Sequence, residues 1–234
     1  MQIRRSDLAH GHELRGAVVV IDVLRAFSTA AYAFAAGANA VVAAHSIDEI
    51  EPLRRGHDPI VTVGALAGGR PVAGLDYGNS PASLAPLDLA GVTVIEYSAG
   101  GVRGLLDCDQ ASAVLAGSLV CARATAQYIR ALDPPVVTFV ITGLWTDRDG
   151  DEDHACADLI ESYLLGHVPN LQWYESRVHA SDFGRRFGLP EYPHLPAADL
   201  ELCAAADRFE FAMPMRQEDD RLVIRAVSMA RGAA

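Results

Sequence analysis

Short apolar runs alternate with longer amphipathic stretches along most of the chain. The first run, residues 17–21, reads Ala-Val-Val-Val-Ile with no polar residue, which is typical of a strand buried on both faces of a parallel sheet. An Ala-rich helical stretch follows and is expected to stop at Gly37, because glycine favours the left-handed conformation just past a helix. The alternation then continues, so the sequence predicts an α/β fold in which helices cover both faces of a largely parallel or mixed sheet.

The same pattern predicts strands and helices up to residue 165. The predicted strands are residues 17–21, 40–44, 60–63, 92–95, 113–115 and 136–142. Between 64 and 80 the chain is rich in glycine, which indicates a long loop, and long loops in compact domains are often functional. Ser80 and Pro81 are the residue types expected at the cap and first position of the helix that follows.

Beyond residue 170 the pattern becomes irregular. Two helices are predicted there, followed by two apolar stretches that are expected to pair as an antiparallel hairpin. The ranges are 173–187 and 197–206 for the helices, and 209–213 and 222–227 for the strands. No linker or internal repeat interrupts the chain. We therefore predict a single domain over residues 1–234, with a core at 16–165 and a C-terminal α+β extension at 170–234.

Composition narrows the class of protein. The 234 residues carry a formal net charge of -11, which argues against non-specific nucleic-acid binding. No apolar run reaches membrane-spanning length, and the polar N-terminal segment does not resemble a signal peptide. The four cysteines show no C-x-x-C spacing, which fits reduced thiols. We therefore expect a cytoplasmic protein with neither a nucleic-acid partner nor a membrane partner.

Polar residues follow several of the predicted strands. Asp22, Arg25 and Ser28 come directly after the first strand. Because ligands of open α/β sheets bind beyond the carboxyl ends of the strands, these residues indicate a site. An equally plain interpretation is that Asp22 and Arg25 pair with each other while Ser28 only caps the helix. Convergence of carboxylates, arginines and helix starts at one rim would suit phosphoryl chemistry with a divalent cation.

Standard phosphate and calcium motifs do not account for this rim. The chain contains no P-loop, no G-x-G-x-x-G and no G-x-S-x-G. The acidic stretch 147–153 has alternate aspartates, but Glu152 stands where an EF-hand requires glycine. A solvated acidic turn is the simpler interpretation of its first part. Glu152 and Asp153 are better candidates, since they open a helix at the same rim.

Four segments together resemble the 2-phosphosulfolactate phosphatase family. They are V-V-I-D-V-L-R-A-F-S-T-A at 19–30, G-L-D-Y-G-N-S-P at 74–81, A-G-S-L-V at 116–120 and E-D-H-A-C-A at 152–157. The resemblance implies a three-layer αβα fold and a Mg²⁺-dependent phosphatase that acts on a small phosphorylated 2-hydroxy acid. The implied substrate resembles 2-phosphosulfolactate, and the products are sulfolactate and phosphate. By analogy it also implies a homo-oligomer, such as a dimer.

The resemblance also implies roles for residues that stand in the matching segments. Catalytic roles fall to Asp22, Arg25 and Asp76. Substrate-binding roles fall to Ser28, Thr29, Gly78, Asn79, Ser80, Arg103 and Ser118. Asp22, Glu152 and Asp153 would hold Mg²⁺. The nucleophile is left open between a metal-held water and Asp22 itself.

The chain departs from the family's usual pattern at several of these segments. Ala65 and Leu66 stand where the family usually has Glu-Arg, and Gly100, Val102 and Cys121 replace an asparagine, a threonine and an asparagine. Loss of polar partners at a site lowers catalytic rates. We therefore expect either that the chain is a phosphatase with an altered substrate or that catalysis is lost. The alternative is a catalytically degenerate member of the family that binds a small anion or a protein partner.

Overall fold

The computed structural model describes residues 1–55, 59–145, 147–219 and 221–229. Most strands belong to one mixed sheet of ten strands. In chain order the strands are β1 (Gln2–Asp7), β2 (Ala17–Ile21), β3 (Ala40–Ala43), β4 (Ile60–Ala65), β5 (Thr93–Ser98), β6 (Ala113–Gly117), β7 (Val136–Ile141), β8 (Leu144–Trp145), β9 (Arg148–Asp149), β10 (Phe211–Glu218), β11 (Arg221–Ile224) and β12 (Val227–Ser228). β8 and β9 form a separate two-stranded hairpin.

Eight α-helices connect and cover these strands in the described part of the chain. They are α1 (Ala26–Ala35), α2 (Ile50–Arg54), α3 (Pro81–Leu84), α4 (Gly101–Leu106), α5 (Ala122–Leu132), α6 (Asp151–Leu164), α7 (Leu171–Ala180) and α8 (Ala197–Ala204). Gly37 follows α1 with φ of 104°, as its sequence position predicts. The predicted helix at 173–187 is shorter than expected, because the chain leaves the helix at Ser181 with extended backbone angles.

The sheet consists of two parallel halves joined by an antiparallel hairpin. One half has the order β1-β7-β2-β6, and the other has the order β3-β5-β4. β10 pairs antiparallel with β6, β11 with β10, and β3 with β11. The predicted hairpin is confirmed, but it completes the middle of the sheet instead of forming an appendage. Residues 230–234 of the predicted extension lie outside the described residues.

Helices cover both faces of the sheet, which confirms the predicted three-layer α/β sandwich. In β2, Val19 and Ile21 pack into a cluster with α5, α6, α7 and α8. Val18 and Val20 face the opposite cluster, which contains residues of α1, α3 and α4. The unbroken apolar run at 17–21 therefore reflects burial on two sides, as parallel strands require.

Three strands have no counterpart in the prediction, namely β1 and the two short strands β8 and β9. β1 is polar and largely exposed, and it pairs in parallel with β7 at the end of the sheet. Edge strands contact the core on fewer sides, so the apolar pattern that marks buried strands is absent from them. Among the described helices, none is both long and apolar enough to cross a membrane. The four cysteines are free and buried.

Candidate functional site

A pocket opens where β2, β4, β5 and β7 end, so the two halves of the sheet meet there. The strands of the two halves run in opposite directions in the sheet, yet residues that follow strands of both halves line this pocket. The pocket has a volume of about 50 Å³, and an ordered water requires roughly 10–15 Å³. Its polar lining includes Asp22, Arg25, Asn79, Ser98, Thr142, Arg148, Glu152 and Asp153.

Asp22 lies at the starts of two helices at once. Its Oδ1 accepts a hydrogen bond from Ala26 N of α1 at 3.0 Å, and its Oδ2 accepts one from Gly101 N of α4 at 2.9 Å. A Cβ at Gly101 would lie 2.8 Å from Asp22 Oδ2, so this approach requires glycine. Burial raises the pKa of Asp22, while the two backbone hydrogen bonds and the nearby arginines oppose that rise. The carboxylate is thus held rigidly at the pocket.

Asp153 joins the ends of two strands. Its Oδ1 accepts a hydrogen bond from Val23 N at 2.8 Å, and its Oδ2 accepts bonds from Thr142 N at 3.1 Å and Gly143 N at 2.7 Å. Burial, together with the charges of Glu152 and Asp22, raises the pKa of Asp153 well above its usual value. Asp153 Oδ2 also accepts a bond from Thr142 Oγ1 at 3.3 Å, so this oxygen has three donors, whereas each oxygen of Asp22 has one. Asp153 is therefore built into the wall of the pocket.

Glu152, unlike Asp22 and Asp153, has a carboxylate oxygen without a hydrogen-bond partner in the described part of the chain. Its side chain is buried, and its Oε2 has no hydrogen-bond partner among the described residues. Burial raises the pKa of Glu152 to about 7. A buried carboxylate oxygen without a hydrogen-bond partner is energetically costly, so this oxygen is poised to accept a ligand or a proton.

Asn79, in the loop before α3, and Glu96, on β5, add further unpaired oxygens. Asn79 is 3% exposed and lines the pocket, and its Oδ1 has no partner within the described chain. Glu96 is fully buried on β5, and both of its carboxylate oxygens likewise lack partners there. Glu96 lies two residues before Ser98, so both side chains are on the same face of the strand. Ser98 lines the pocket, which places Glu96 one step beneath it.

Arg25 does not pair with Asp22, so the strand-end ion pair considered as an alternative is not found. Instead Arg25 Nη1 lies 2.5 Å from Asp199 Oδ2 of α8. Its other donors bind the carbonyl oxygens of His194 at 3.2 Å and Gly69 at 3.0 Å. The segment beyond residue 170 thus holds Arg25 at the pocket wall. Asp199 was missed in the sequence because it lies in an ordinary-looking helix.

Several predicted site residues do not line the pocket. Ser28 and Ser118 are buried and hydrogen bonded to each other through their hydroxyls at 2.7 Å. Ser80 caps α3 and donates to Asp199 Oδ1 at 2.9 Å. Thr29 is buried in α1. Gly78 lies in the segment that reaches Asn79 and is not part of the pocket lining. Their substrate-binding roles stay predictions.

Asp76 and Arg103 also lie elsewhere. Asp76 is exposed and accepts hydrogen bonds from Thr62 N at 2.8 Å and Thr62 Oγ1 at 2.7 Å. Burial alone would raise the pKa of Asp76, but these hydrogen bonds and the charge of Arg54 lower it. Arg103 is exposed, with its Nε 3.6 Å from Asp107 Oδ2. It lines a larger cleft of about 390 Å³ that adjoins the pocket.

Arg148 is a pocket residue that the sequence did not single out. It lies on β9, within the acidic stretch, and its guanidinium stacks over the ring of Phe183 at 4.4 Å and that of Trp145 at 5.4 Å. The sequence feature that could have indicated Arg148 is its position as the one cation in the acidic stretch 147–153. The acidic loop is therefore not only a solvated turn, because it delivers a positive charge to the pocket.

The predicted Mg²⁺ ligands Asp22, Glu152 and Asp153 all line the pocket, whereas the predicted catalytic residue Asp76 does not. Within the described residues no group of three or more His, Cys, Asp or Glu side chains is arranged to hold a metal ion. The donor set still fits Mg²⁺, which prefers oxygen ligands and usually takes one or two carboxylates, keeping waters and phosphate oxygens for its other positions. Asp22 and Glu152 supply such carboxylates, and Glu152 Oε2 is unpaired.

The positions where the chain departs from the family's usual pattern fall into two groups. Ala65, Leu66 and Gly100 line the pocket. Val102 and Cys121 are buried in the core, and burial raises the pKa of the Cys121 thiol. Ala65, Leu66 and Gly100 therefore give the pocket an uncharged part of its lining, beside the carboxylates of Asp22 and Glu152.

Comparison with known proteins gives consistent matches. A profile of the family described as 2-phosphosulpholactate phosphatase matches residues 3–217. A protein of Carboxydothermus hydrogenoformans named "Probable 2-phosphosulfolactate phosphatase" is 41% identical over 227 residues, covering 92% of this chain and 92% of its own. Proteins of the same name from Caldicellulosiruptor saccharolyticus (37% over 205 residues, 81% and 84% covered) and Bacillus subtilis (28% over 221 residues, 93% and 96% covered) are similar too.

Proposed function

Because the chain belongs to the 2-phosphosulpholactate phosphatase family, we propose that it hydrolyses a small phosphorylated 2-hydroxy acid, resembling 2-phosphosulfolactate, in a Mg²⁺-dependent reaction. The observation that carries this proposal is the unpaired Glu152 Oε2 in the same small pocket as the rigidly held Asp22 carboxylate. Several buried carboxylates that outnumber the cations beside them are unstable when ionised, and a bound metal ion stabilises them.

Asp22 and Glu152 would hold the ion, and Asp153 would fix the wall behind them. When bound, Mg²⁺ would polarise the phosphoryl group and offset its negative charge. The amide of Asn79, which lines the same pocket, can donate a hydrogen bond to a phosphoryl oxygen. The hydrogen bonds to Asp22 from α1 and α4 fix its orientation before substrate arrives, so little reorganisation is needed during the reaction.

The rest of the substrate would extend into the adjoining cleft. That cleft shares Ser98, Ala99 and Trp145 with the pocket and also contains Arg103 and His45. An exposed arginine suits the second anionic group of a phosphorylated acid, whether carboxylate or sulfonate. The pocket, with only about 50 Å³, would then take the phosphoryl end alone.

A catalytically degenerate binder is the second candidate. The specific observation in its favour is the neutral lining contributed by Ala65, Leu66 and Gly100. Such a protein would bind an anion or a protein partner without turnover.

Phosphate release from a panel of phosphorylated 2-hydroxy acids, with Mg²⁺ and with a chelator, separates the two candidates. We expect release that requires Mg²⁺ and is lost in Asp22→Asn. Absence of turnover on every acid, together with absence of Mg²⁺ binding in calorimetry, would refute the enzyme. A homodimer and a cytoplasmic location stay part of this proposal, and sedimentation and cell fractionation test them.

A further inference from the structure

The pocket is rich in carboxylates, so a phosphoryl group needs a protein cation there as well as a metal ion. Asp22, Glu152 and Asp153 all line it. A phosphate ester carries negative charge at neutral pH and is repelled by ionised carboxylates at short range. Three arginines lie in or beside the pocket, and their surroundings differ.

Two of these arginines already have partners. The charge of Arg25 is offset by the buried carboxylate of Asp199 at 2.5 Å, and its guanidinium also binds two backbone carbonyl oxygens. Arg103 is outside the pocket, exposed, and beside Asp107. Neither Arg25 nor Arg103 therefore places an unpaired positive charge in the pocket.

Arg148 lines the pocket and, unlike the other two arginines, has no carboxylate paired with it among the described residues. Its charge acts on the pocket's carboxylates, since it opposes the rise in the pKa values of Asp22 and Glu152. The guanidinium lies over the rings of Phe183 and Trp145, and both aromatic residues line the pocket too.

We propose that Arg148 is the substrate-binding cation of this site and grips the phosphoryl group. Stacking on aromatic faces orients the guanidinium plane and leaves its edge N–H groups free for two parallel hydrogen bonds to phosphate oxygens. Phe183 and Trp145 serve as the platform that positions it. This inference rests on the proposed phosphatase function, because it assigns the phosphate subsite of that reaction.

Calorimetric titration of inorganic phosphate into the Mg²⁺-loaded protein tests the assignment without turnover. Arg148→Met removes the charge and keeps much of the side-chain length. We expect phosphate to bind about 10- to 100-fold more weakly to this variant, the range expected for a lost charge-assisted hydrogen bond. Arg148→Lys should recover part of the affinity, because a point charge remains but the paired geometry is lost.

Arg186→Gln is the matched control. Arg186 also stacks over Phe183, at 5.6 Å, but it is paired with Asp147 at 3.0 Å and does not line the pocket. Removal of the Arg186 charge should leave the phosphate affinity within about twofold of the wild type, because a paired charge outside the pocket contributes little to binding inside it. Thermal melting of each variant shows whether it is folded.

A second titration with methanesulfonate distinguishes the phosphoryl group from the acid's other anionic group. Loss of phosphate affinity in Arg148→Met supports the assignment, even if no phosphorylated acid is ever hydrolysed. Unchanged phosphate affinity in a folded Arg148→Met protein overturns it while leaving the phosphatase proposal intact. Loss of methanesulfonate affinity alone overturns it as well. Absence of phosphate binding in the wild type would overturn both proposals.

Discussion

Arg25 and Asp199 form a buried ion pair, with Arg25 Nη1 2.5 Å from Asp199 Oδ2. The second carboxylate oxygen of Asp199 accepts hydrogen bonds from Ser80 Oγ and Ala82 N, both at 2.9 Å. One aspartate of α8 therefore connects the loop after β2 to the start of α3. The helix α8, although late in the chain, supports the wall of the pocket.

Asp199→Ala should destabilise the protein by about 3–5 kcal/mol, because it leaves the Arg25 charge buried and unpaired. Urea unfolding measures this loss. Glu218→Ala is the control: it breaks an ion pair with Arg225 that is equally short, at 2.5 Å, but exposed. Exposed pairs contribute about 0–1 kcal/mol. Equal losses in the two variants would show that burial of the Arg25 pair has no energetic role.

Gly101→Ala should sharply reduce activity. The added Cβ would lie 2.8 Å from Asp22 Oδ2 and 3.0 Å from Phe27 Cζ, so the Asp22 carboxylate must move. A displaced catalytic group typically lowers the rate by about 100-fold. Steady-state phosphate release measures the effect. Gly78→Ala is the stability control, since its Cβ would meet only Gly64 O at 4.0 Å, and it should melt like the wild type.

Asp22→Asn should lose Mg²⁺ binding. The amide can still accept one backbone hydrogen bond, but it lacks the negative charge that holds the ion. Isothermal titration with MgCl₂ measures the affinity, with Asp109→Asn at the protein surface as a control. A wild-type affinity in Asp22→Asn would remove this residue from the metal site.

Glu96→Gln should stabilise the protein, and more so at higher pH. Burial and then the charge of Asp22 raise the pKa of Glu96 well above its usual value of 4.5. The folded protein therefore holds a proton there that the unfolded chain releases, and stability is lost as the pH rises between the two pKa values. Glutamine has no such proton. Its advantage should therefore be larger at pH 8 than at pH 5.

Urea unfolding of both proteins at the two pH values checks this prediction. A difference in stability that is constant with pH would mean that Glu96 does not titrate with folding. A less stable variant would mean that the buried carboxylate has a partner that glutamine cannot replace.

The strands of the parallel halves were predictable because burial on both faces leaves an unmistakable apolar run. The polar edge strand β1 was not, and neither was the position of the β10–β11 hairpin. The sequence did predict that the two strands of this hairpin pair with each other, and the pairing of Met215 with Ile224 confirms it. Nothing local indicated that β6 and β3 would be its outer neighbours, since those contacts link distant parts of the chain.

In the pocket, too, the residues marked by local sequence were predictable, and those that depend on distant contacts were not. Asp22, Glu152 and Asp153 were predicted together because strand ends and helix starts are visible in sequence, and the structure places all three in the pocket lining. Asp199 and Arg148 were missed because their roles depend on which distant groups they meet. Asp76 was placed in the site by its motif, yet its carboxylate binds Thr62 outside the pocket.

The hairpin in the middle of the sheet constrains how the chain can be made. Among the described strands, β10 and β11 alone connect the two parallel halves. During translation both halves emerge before residue 211 does, so the facing edges of β6 and β3 stay unpaired until the residues of β10 and β11 have been made. Open strand edges invite wrong pairing. The nascent chain is thus most exposed to aggregation while both halves are made and the hairpin is not, and holding chaperones would help most at that stage.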